Sequence, residues 1–292
     1  MNKSIKKKII NLKAKAAWLT VLLIAVLFLA ALSGTQLIKE ASAISYTQYI
    51  GTLDGADWAL RIPDNWNDML EIMCRGVIKG VIPDPLSTLS SGTSELNQGF
   101  AIAASNYGEK GLCIQAGVNS TYELTKHIIE NFNVTGRVFL SGASLGGCVA
   151  LLLGEKHPEL YSGVLDLFGS KNHTDAYLRN IRWANLSLSE LEAEMLALGI
   201  TTIPPPTFSS LEEYRDKRCV NAALAIENET GGTPETHPQE YEDRSPVYQA
   251  NITIPVITVH GTDDAIVFYY NLRCIEMLLR MRGVLTFIVS TL

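Results

Sequence analysis

Residues 137–156 read RVFLSGASLGGCVALLLGEK, and this stretch decides the fold. The apolar run Arg137–Leu140 predicts a buried strand, and Cys148–Lys156 predicts a helix that begins almost at once. Between them lies Gly142-Ala143-Ser144-Leu145-Gly146, a G-x-S-x-G motif whose glycines allow a tight turn that projects the serine hydroxyl from the sheet edge. The pattern makes Ser144 a candidate nucleophile. The alternative is a glycine-rich turn whose serine only caps the helix.

On both sides of this motif, short apolar runs alternate with amphipathic stretches, which predicts an α/β fold with a mostly parallel sheet and crossover helices. The predicted strands are, in chain order, Trp58–Ile62, Met69–Met73, Phe100–Ser105, Arg137–Leu140, Ser162–Phe168, Pro255–His260 and Leu285–Ser290. Further helices are predicted near Asn119–Phe132 and Tyr270–Met281. The chain is long enough for one large core.

A middle segment, residues 171–250, interrupts this alternation. It contains two predicted helices, Thr174–Trp183 and Ser187–Leu198, and the second opens with a Ser-x-x-Glu capping pattern. Three consecutive prolines and a polar stretch at 228–244 follow, so we interpret the segment as an inserted helical cap. The predicted segments are therefore 1–43 (export), 44–170 (core, first part), 171–250 (cap) and 251–292 (core, second part, incomplete at its C-terminus).

The first 43 residues have the features of an export signal. Six lysines precede the apolar run Ala16–Leu32, and Ala41-Ser42-Ala43 places small residues at the two positions that a signal peptidase reads. The apolar run is also at the lower limit of length for spanning a bilayer, so an uncleaved anchor is the alternative. Both interpretations place residues 44–292 outside the cytoplasm, secreted or anchored, with membrane contact only through the N-terminal segment.

Charge is unevenly distributed along the chain. The first 43 residues hold seven lysines against one acid, which leaves 17 basic and 29 acidic residues, a net charge of −12, in residues 44–292. An acidic surface disfavours sequence-independent phosphate binding, so we expect no nucleic-acid partner. The five cysteines form no C-x-x-C pair, so no zinc site is predicted, and no motif requires a metal, nucleotide or organic cofactor.

A second motif, Val259-His260-Gly261-Thr262-Asp263-Asp264, follows a predicted strand well downstream of Ser144. A carboxylate at this place can orient and polarise a histidine, which is the role of the acid in a catalytic triad. We choose Asp264 over Asp263 for this role. The alternative is that both acids only begin a loop, as acids often do.

Together, the two motifs resemble the α/β-hydrolase fold superfamily, and the resemblance extends from about Trp58 to the C-terminus. It implies the chain order serine, acid, histidine, with Asp264 as the acid in an H-G-x-x-D segment. It also implies an oxyanion hole of main-chain N–H groups, for which we expect Leu145 and Val77. Many members have His-Gly after the third strand, where this chain has Arg75-Gly76, and a main-chain site tolerates that difference.

No histidine follows Asp264, although the resemblance implies one in a loop after the last strand. The five histidines are His127, His157, His173, His237 and His260. We expect three of them to be structural, whereas the two cap histidines, His173 and His237, could in principle reach Ser144. Because a serine hydroxyl is a weak nucleophile without a base, we expect that the sequence is cut short before its histidine.

The sequence therefore predicts an exported serine hydrolase that cleaves a carboxylic ester through an acyl-enzyme on Ser144, with a small ester or short peptide as its substrate. A serine peptidase of the same fold is one alternative, because the motifs do not separate amide from ester cleavage. The other alternative is a catalytically inactive hydrolase-fold protein that binds a ligand or partner beneath the cap, since no histidine follows Asp264.

Overall fold

The computed structural model describes residues 44–248 and 252–267, together with the backbone of 286–291. The predicted export segment 1–43 and the helix predicted near Tyr270–Met281 lie outside the described residues. Among the described residues, no helix combines the length and apolar character needed to cross a bilayer.

The described strands form a single mixed sheet. In chain order they are β1 (Tyr46–Leu53), β2 (Ala56–Pro63), β3 (Leu70–Cys74), β4 (Ala101–Ser105), β5 (Val138–Ala143), β6 (Gly163–Leu167), β7 (Val256–Gly261) and β8 (Thr286–Thr291). Across the sheet their order is β1-β2-β4-β3-β5-β6-β7-β8. β2 pairs antiparallel with β1 and β4, and all the other neighbouring strands are parallel. The predicted α/β class with a mostly parallel sheet is confirmed.

Strand β1, the antiparallel edge of the sheet, is not predicted by the sequence pattern. Its side chains are mostly exposed, so the apolar alternation that marks a half-buried strand is weak. The signal that could have found it is Asp54-Gly55, the two-residue loop that joins β1 to β2. Both residues have positive φ, 49° and 84°, which is the backbone that an Asp-Gly hairpin loop favours.

Two long helices flank the nucleophile motif in the core. α1 (Pro85–Leu89) and α2 (Thr93–Asn97) are short, whereas α3 (Ile114–Asn131) and α4 (Leu145–Lys156) are long. Leu145 through Glu155 of α4 are all buried, which is expected of a helix that is apolar on every side. The helix predicted from Asn119 is α3, and it begins five residues earlier than predicted, at Ile114.

The early start of α3 has a long-range cause. The Glu229 carboxylate, from the cap, accepts a hydrogen bond from the Gln115 N–H at 2.9 Å. The first N–H groups of a helix lack partners within the helix, so a carboxylate there stabilises the first turn. Because the capping residue lies 114 positions away in the chain, no local pattern predicts it.

The two cap helices predicted from sequence are confirmed as α5 (His173–Ala184) and α6 (Leu188–Ala197), and Ser187 and Glu190 form the predicted capping box. The rest of the cap is more helical than predicted. It contains α7 (Leu211–Glu213), a π-helical turn (Tyr214–Cys219), α8 (Val220–Thr230) and α9 (Pro238–Asp243). The π turn spaces the buried residues Tyr214 and Cys219 five apart, which breaks the periodicity that marks an α-helix.

A buried ion pair lies at the carboxyl end of β6. Asp166 Oδ2 is 2.7 Å from Lys171 Nζ, and the two side chains are almost completely buried. Asp166 Oδ1 accepts from the Gly169 N–H at 2.8 Å, and Lys171 Nζ donates to the Gly169 carbonyl at 2.7 Å. A Cβ on Gly147 would lie 2.3 Å from Asp166 Oδ1, so the pair packs against the first turn of α4. It fixes the β6 loop beneath the helix that follows Ser144.

Removing one member of this pair is expected to destabilise the fold. Lys171→Met keeps the aliphatic length but leaves the Asp166 carboxylate buried without its cation, a loss of about 3–5 kcal/mol in comparable buried pairs. The double variant with Asp166→Asn removes both charges and should recover part of this loss. Urea unfolding followed by circular dichroism measures both free energies.

The matched control is Lys217→Met, which breaks an ion pair with Glu213 in which the lysine is 71% exposed. We expect its unfolding midpoint to stay close to that of the unsubstituted protein, because exposed pairs contribute little. Equal losses in the Lys171 and Lys217 variants would contradict a structural role for the buried pair.

Candidate active site

Ser144 joins β5 to α4 with a strained backbone. Its φ is 55° and its ψ is −119°, a conformation that residues with a side chain rarely adopt and that costs on the order of 1–3 kcal/mol. The Ser144 side chain is half-buried and makes no capping hydrogen bond to α4. The alternative of a serine that only caps the helix is therefore wrong. The strain instead holds the hydroxyl at the carboxyl edge of the sheet.

The two outer glycines of the motif are sterically required. A Cβ on Gly142 would lie 2.3 Å from the carbonyl carbon of Gly146, and a Cβ on Gly146 would lie 2.0 Å from the carbonyl oxygen of Cys74. Real Cβ atoms do not approach main-chain atoms this closely. Glycine at both positions therefore lets β3, β5 and α4 meet at the serine.

The carboxyl ends of three neighbouring strands form one row beside Ser144. The Ser144 N–H donates to the Leu167 carbonyl at 3.0 Å, which joins the turn to β6. The Phe168 N–H donates to the Val259 carbonyl at 2.7 Å, which joins β6 to β7. Asp264 follows β7, so one strand lies between it and Ser144, a separation of about 10 Å at the usual strand spacing. Ligands of open α/β sheets bind outside this edge.

Asp264 is held in a fixed orientation. Its Oδ1 accepts hydrogen bonds from the N–H groups of Ile266 and Val267 at 2.8 and 2.9 Å, and its Oδ2 lies 3.4 Å from Nε2 of the buried His260. Burial alone would raise the pKa of the Asp264 carboxyl, but the hydrogen bonds from His260 and the two amides lower it below its ordinary value. The carboxyl is therefore ionised at neutral pH.

The neighbouring acid, Asp263, has different partners. Its carboxylate accepts hydrogen bonds from the Thr202 hydroxyl at 2.6 Å and the Thr201 hydroxyl at 3.2 Å, and also from their N–H groups. The bond from the Thr202 side chain is the main reason that the pKa of Asp263 is lowered. Asp263 thus ties the loop after α6 of the cap to the loop after β7.

Leu145 and Val77, the residues expected to form an oxyanion hole, lie on α4 and on the segment after β3. Leu145 is the first residue of α4, so its N–H has no acceptor within the helix. Val77 follows β3, which pairs with β5 on the side opposite β6. A Cβ on Gly76 would lie 3.5 Å from the Ala143 carbonyl oxygen, so the segment before Val77 passes in contact with the serine turn.

The Ser144 hydroxyl makes no hydrogen bond within the described part of the chain, so none of the five histidines is bonded to it. The two cap histidines, which could in principle reach it, have other surroundings. The His173 side chain is buried, which lowers its pKa to about 4, and its main-chain N–H donates to the Ser245 hydroxyl at 2.8 Å. His237 Nδ1 lies 2.9 Å from the Thr236 hydroxyl.

The three other histidines contact groups other than Ser144. His127 packs against Trp58 with ring centres 5.2 Å apart, and His157 stacks on Tyr122 at 4.0 Å. His260 Nε2 lies 2.6 Å from the Val267 carbonyl oxygen.

No cluster of histidine, cysteine and acidic side chains able to hold a metal ion occurs among the described residues. A cavity of about 850 Å³ opens between the β1–β2 loop, α3 and the end of α8, with Asp54, Glu123 and Glu229 among its lining residues. Ser144 does not line it, so this cavity is separate from the candidate active site.

The strand order, the strained serine after β5 and the acid after β7 are those of the α/β-hydrolase fold. The chain therefore has this fold, as the resemblance implied. Residues 114–196 match the family model described as "Putative esterase". No curated protein matches the sequence.

Solved structures of two kinds of hydrolase are similar to this chain. Pyrococcus horikoshii acylaminoacyl peptidase is 12% identical with a TM-score of 0.57, over 87% of this chain and 38% of the peptidase. Brefeldin A esterase, a bacterial homologue of human hormone sensitive lipase, is 12% identical with a TM-score of 0.60, over 87% and 70% of the two chains. EstE5, soaked with p-nitrophenyl butyrate, is 13% identical with a TM-score of 0.56, over 84% and 74%. This chain thus spans well under half the length of the peptidase, and the identities establish the shared fold alone.

The serine turn should not tolerate a methyl group at Gly146. In Gly146→Ala the new Cβ meets the Cys74 carbonyl oxygen, so β3 and the turn must separate, and we expect a loss of about 1–3 kcal/mol in the free energy of unfolding. Gly163→Ala in β6 is the control, because its nearest neighbour would lie 3.4 Å away, close to ordinary van der Waals contact. Urea unfolding measures both, and equal stability of the two variants would contradict the steric account.

Proposed function

We propose that this protein is an exported serine hydrolase that cleaves carboxylic esters through an acyl-enzyme on Ser144. The strained backbone of Ser144 carries the proposal, because strain of this kind persists where the surrounding structure enforces it and is concentrated at active sites. Asp264 supports the proposal, because it follows β7, two strands from the Ser144 turn, and its carboxylate is ionised and held by two amides. The match of residues 114–196 to an esterase family model favours ester chemistry among the reactions of this fold.

In the proposed reaction, a base removes the proton from the Ser144 hydroxyl while its oxygen attacks the ester carbonyl carbon. The carbonyl electron pair moves onto oxygen, and the N–H groups of Leu145 and Val77 donate to the resulting oxyanion. Leu145 also lies at the N-terminus of α4, where the helix dipole favours negative charge. The tetrahedral intermediate expels the alcohol, which takes up the proton, and water then hydrolyses the acyl-enzyme.

The base in this proposal is a histidine oriented by Asp264. We do not assign it to His260, which is completely buried and directs Nε2 at the Val267 carbonyl oxygen. We assign this role to none of the histidines among the described residues. Each assay is therefore run on the 292-residue chain and on a chain extended to the natural stop codon of its gene.

Export is proposed from the sequence of residues 1–43, with its lysines, apolar run and Ala-Ser-Ala site. Fusion of these residues to a reporter enzyme that is active only outside the cytoplasm tests it. A reporter that stays inactive would overturn this part of the proposal.

The extended protein is expected to hydrolyse short p-nitrophenyl esters, and Ser144→Ala should lower turnover by about 10³-fold or more because the nucleophile is lost. Release of nitrophenol measures the rate. Ser91→Ala, which replaces an exposed serine between α1 and α2, is the control and should retain full turnover. Unchanged turnover in Ser144→Ala would contradict the assignment of the nucleophile.

Comparing the turnover of amide and ester substrates distinguishes the proposed esterase from the peptidase alternative. Faster turnover of aminoacyl nitroanilides than of nitrophenyl esters would indicate a peptidase. No turnover of either substrate by the extended chain would favour a ligand-binding protein.

A further inference from the structure

A buried guanidinium lies behind the loop that carries the Val77 amide. Arg75, the first residue after β3, is 3% exposed. Its Nε donates to the Asn106 carbonyl at 3.0 Å, its Nη1 to the Gly76 carbonyl at 3.0 Å and its Nη2 to the Glu109 carbonyl at 2.7 Å. One side chain thus holds three main-chain carbonyls from the loops after β3 and β4.

The remaining contacts of Arg75 also come from the protein interior. Nη2 lies 3.1 Å from Cys113 Sγ, and the guanidinium carbon lies 4.3 Å from the centre of the Tyr107 ring. Among the described residues, no carboxylate pairs with Arg75. A buried charge is costly unless its donors are satisfied, and here main-chain carbonyls satisfy them. An apolar residue at this position would leave the three carbonyls without the donors that Arg75 supplies.

The bond from Arg75 to Gly76 fixes the next peptide unit. The Gly76–Val77 peptide is trans, so its carbonyl and its N–H point in opposite directions. Because Arg75 Nη1 holds the Gly76 carbonyl, the Val77 N–H must point away from the buried guanidinium. Within the described residues that N–H donates to no acceptor, and Val77 is 41% exposed. An outward, unoccupied N–H is what an oxyanion hole requires.

This peptide also lies close to the serine turn. A Cβ on Gly146 would be 2.0 Å from the Cys74 carbonyl oxygen and 2.9 Å from the Arg75 carbonyl oxygen, so the chain entering the loop touches the motif directly. On its other side, the Tyr107 hydroxyl donates to the Arg75 carbonyl at 3.4 Å. The loop is held between the serine turn and the residues after β4.

We propose that Arg75 is the positioning residue of the oxyanion hole: by holding the Gly76 carbonyl, it directs the Val77 N–H toward the oxygen on which charge develops. This inference rests on the proposed function, because it concerns the same site. Its competitor is a structural role, in which Arg75 only joins the loops after β3 and β4. If Arg75 positions the oxyanion hole, its substitution weakens binding of the transition state more than binding of the substrate. If Arg75 is only structural, its substitution has no such selective effect.

Arg75→Met, which keeps most of the apolar length and removes every donor, is the main test. We expect kcat for a p-nitrophenyl ester to fall by about 10 to 100-fold with KM changed less than about 3-fold, because the oxyanion forms only along the reaction path. Inhibition by a trifluoromethyl ketone, which forms an oxyanion adduct with an active-site serine, should weaken in parallel. Inhibition by the corresponding methyl ketone should not change.

Arg61→Met is the matched control. Arg61 also stacks on a tyrosine, Tyr46, and donates to a main-chain carbonyl, that of Leu89, but it lies on β2 away from the serine turn. Its substitution should leave kcat and trifluoromethyl ketone inhibition unchanged. If Arg75→Met does not fold, Arg75→Lys decides, since one flexible ammonium group cannot hold three carbonyls together. In the Arg75→Lys variant kcat should fall by about 10-fold while KM is unchanged.

Retention of kcat and trifluoromethyl ketone inhibition in the folded Arg75 variant would overturn the positioning role, even if the melting temperature falls. The extended wild-type chain and Ser144→Ala are assayed first. If they do not differ in turnover, the proposed function itself fails, and the Arg75 inference fails with it. If they differ, the Arg75 variants test the inference alone.

Discussion

The lack of space for a Cβ at Gly146 is the constraint on which the active-site edge depends. With its Cα packed against the Cys74 carbonyl, the turn brings β3, β5 and α4 together. Ser144 has a positive φ in this turn, and Leu145 begins the helix with an N–H that has no acceptor within it. The same contact holds the end of β3, and with it Arg75, against the serine turn.

Charged side chains hold the loops around this turn through ion pairs and hydrogen bonds. Asp166 and Lys171 lie under the first turn of α4, while Asp264 is held by two amides of its own loop. Two other acids connect the cap to the core: Asp263 binds the two threonines after α6, and Glu229 caps α3. The loops at the carboxyl edge of the sheet therefore depend on buried or half-buried charges, whereas the sheet depends on apolar packing.

The parts of the molecule that the sequence could predict are those with a local cause. The serine turn, the parallel strands and the first two cap helices each follow from residues adjacent in the chain. The helix through Tyr214 was not predictable from periodicity, because its π turn shifts the apolar spacing. The start of α3 depends on Glu229, which is remote in sequence. The role of Arg75 is not visible in the sequence, because its three carbonyl partners come together only in the folded chain. The hairpin at Asp54-Gly55 could have been found from its dipeptide and was missed.

The central claim is that Ser144 is an activated nucleophile. The most direct measurement is fluorophosphonate labelling of the chain extended to its natural stop codon, with the modified peptide identified by mass spectrometry. The account predicts one phosphonyl group per chain, located on Ser144, and no labelling of Ser144→Ala. Labelling at another serine, or no labelling of a folded extended chain, would contradict it.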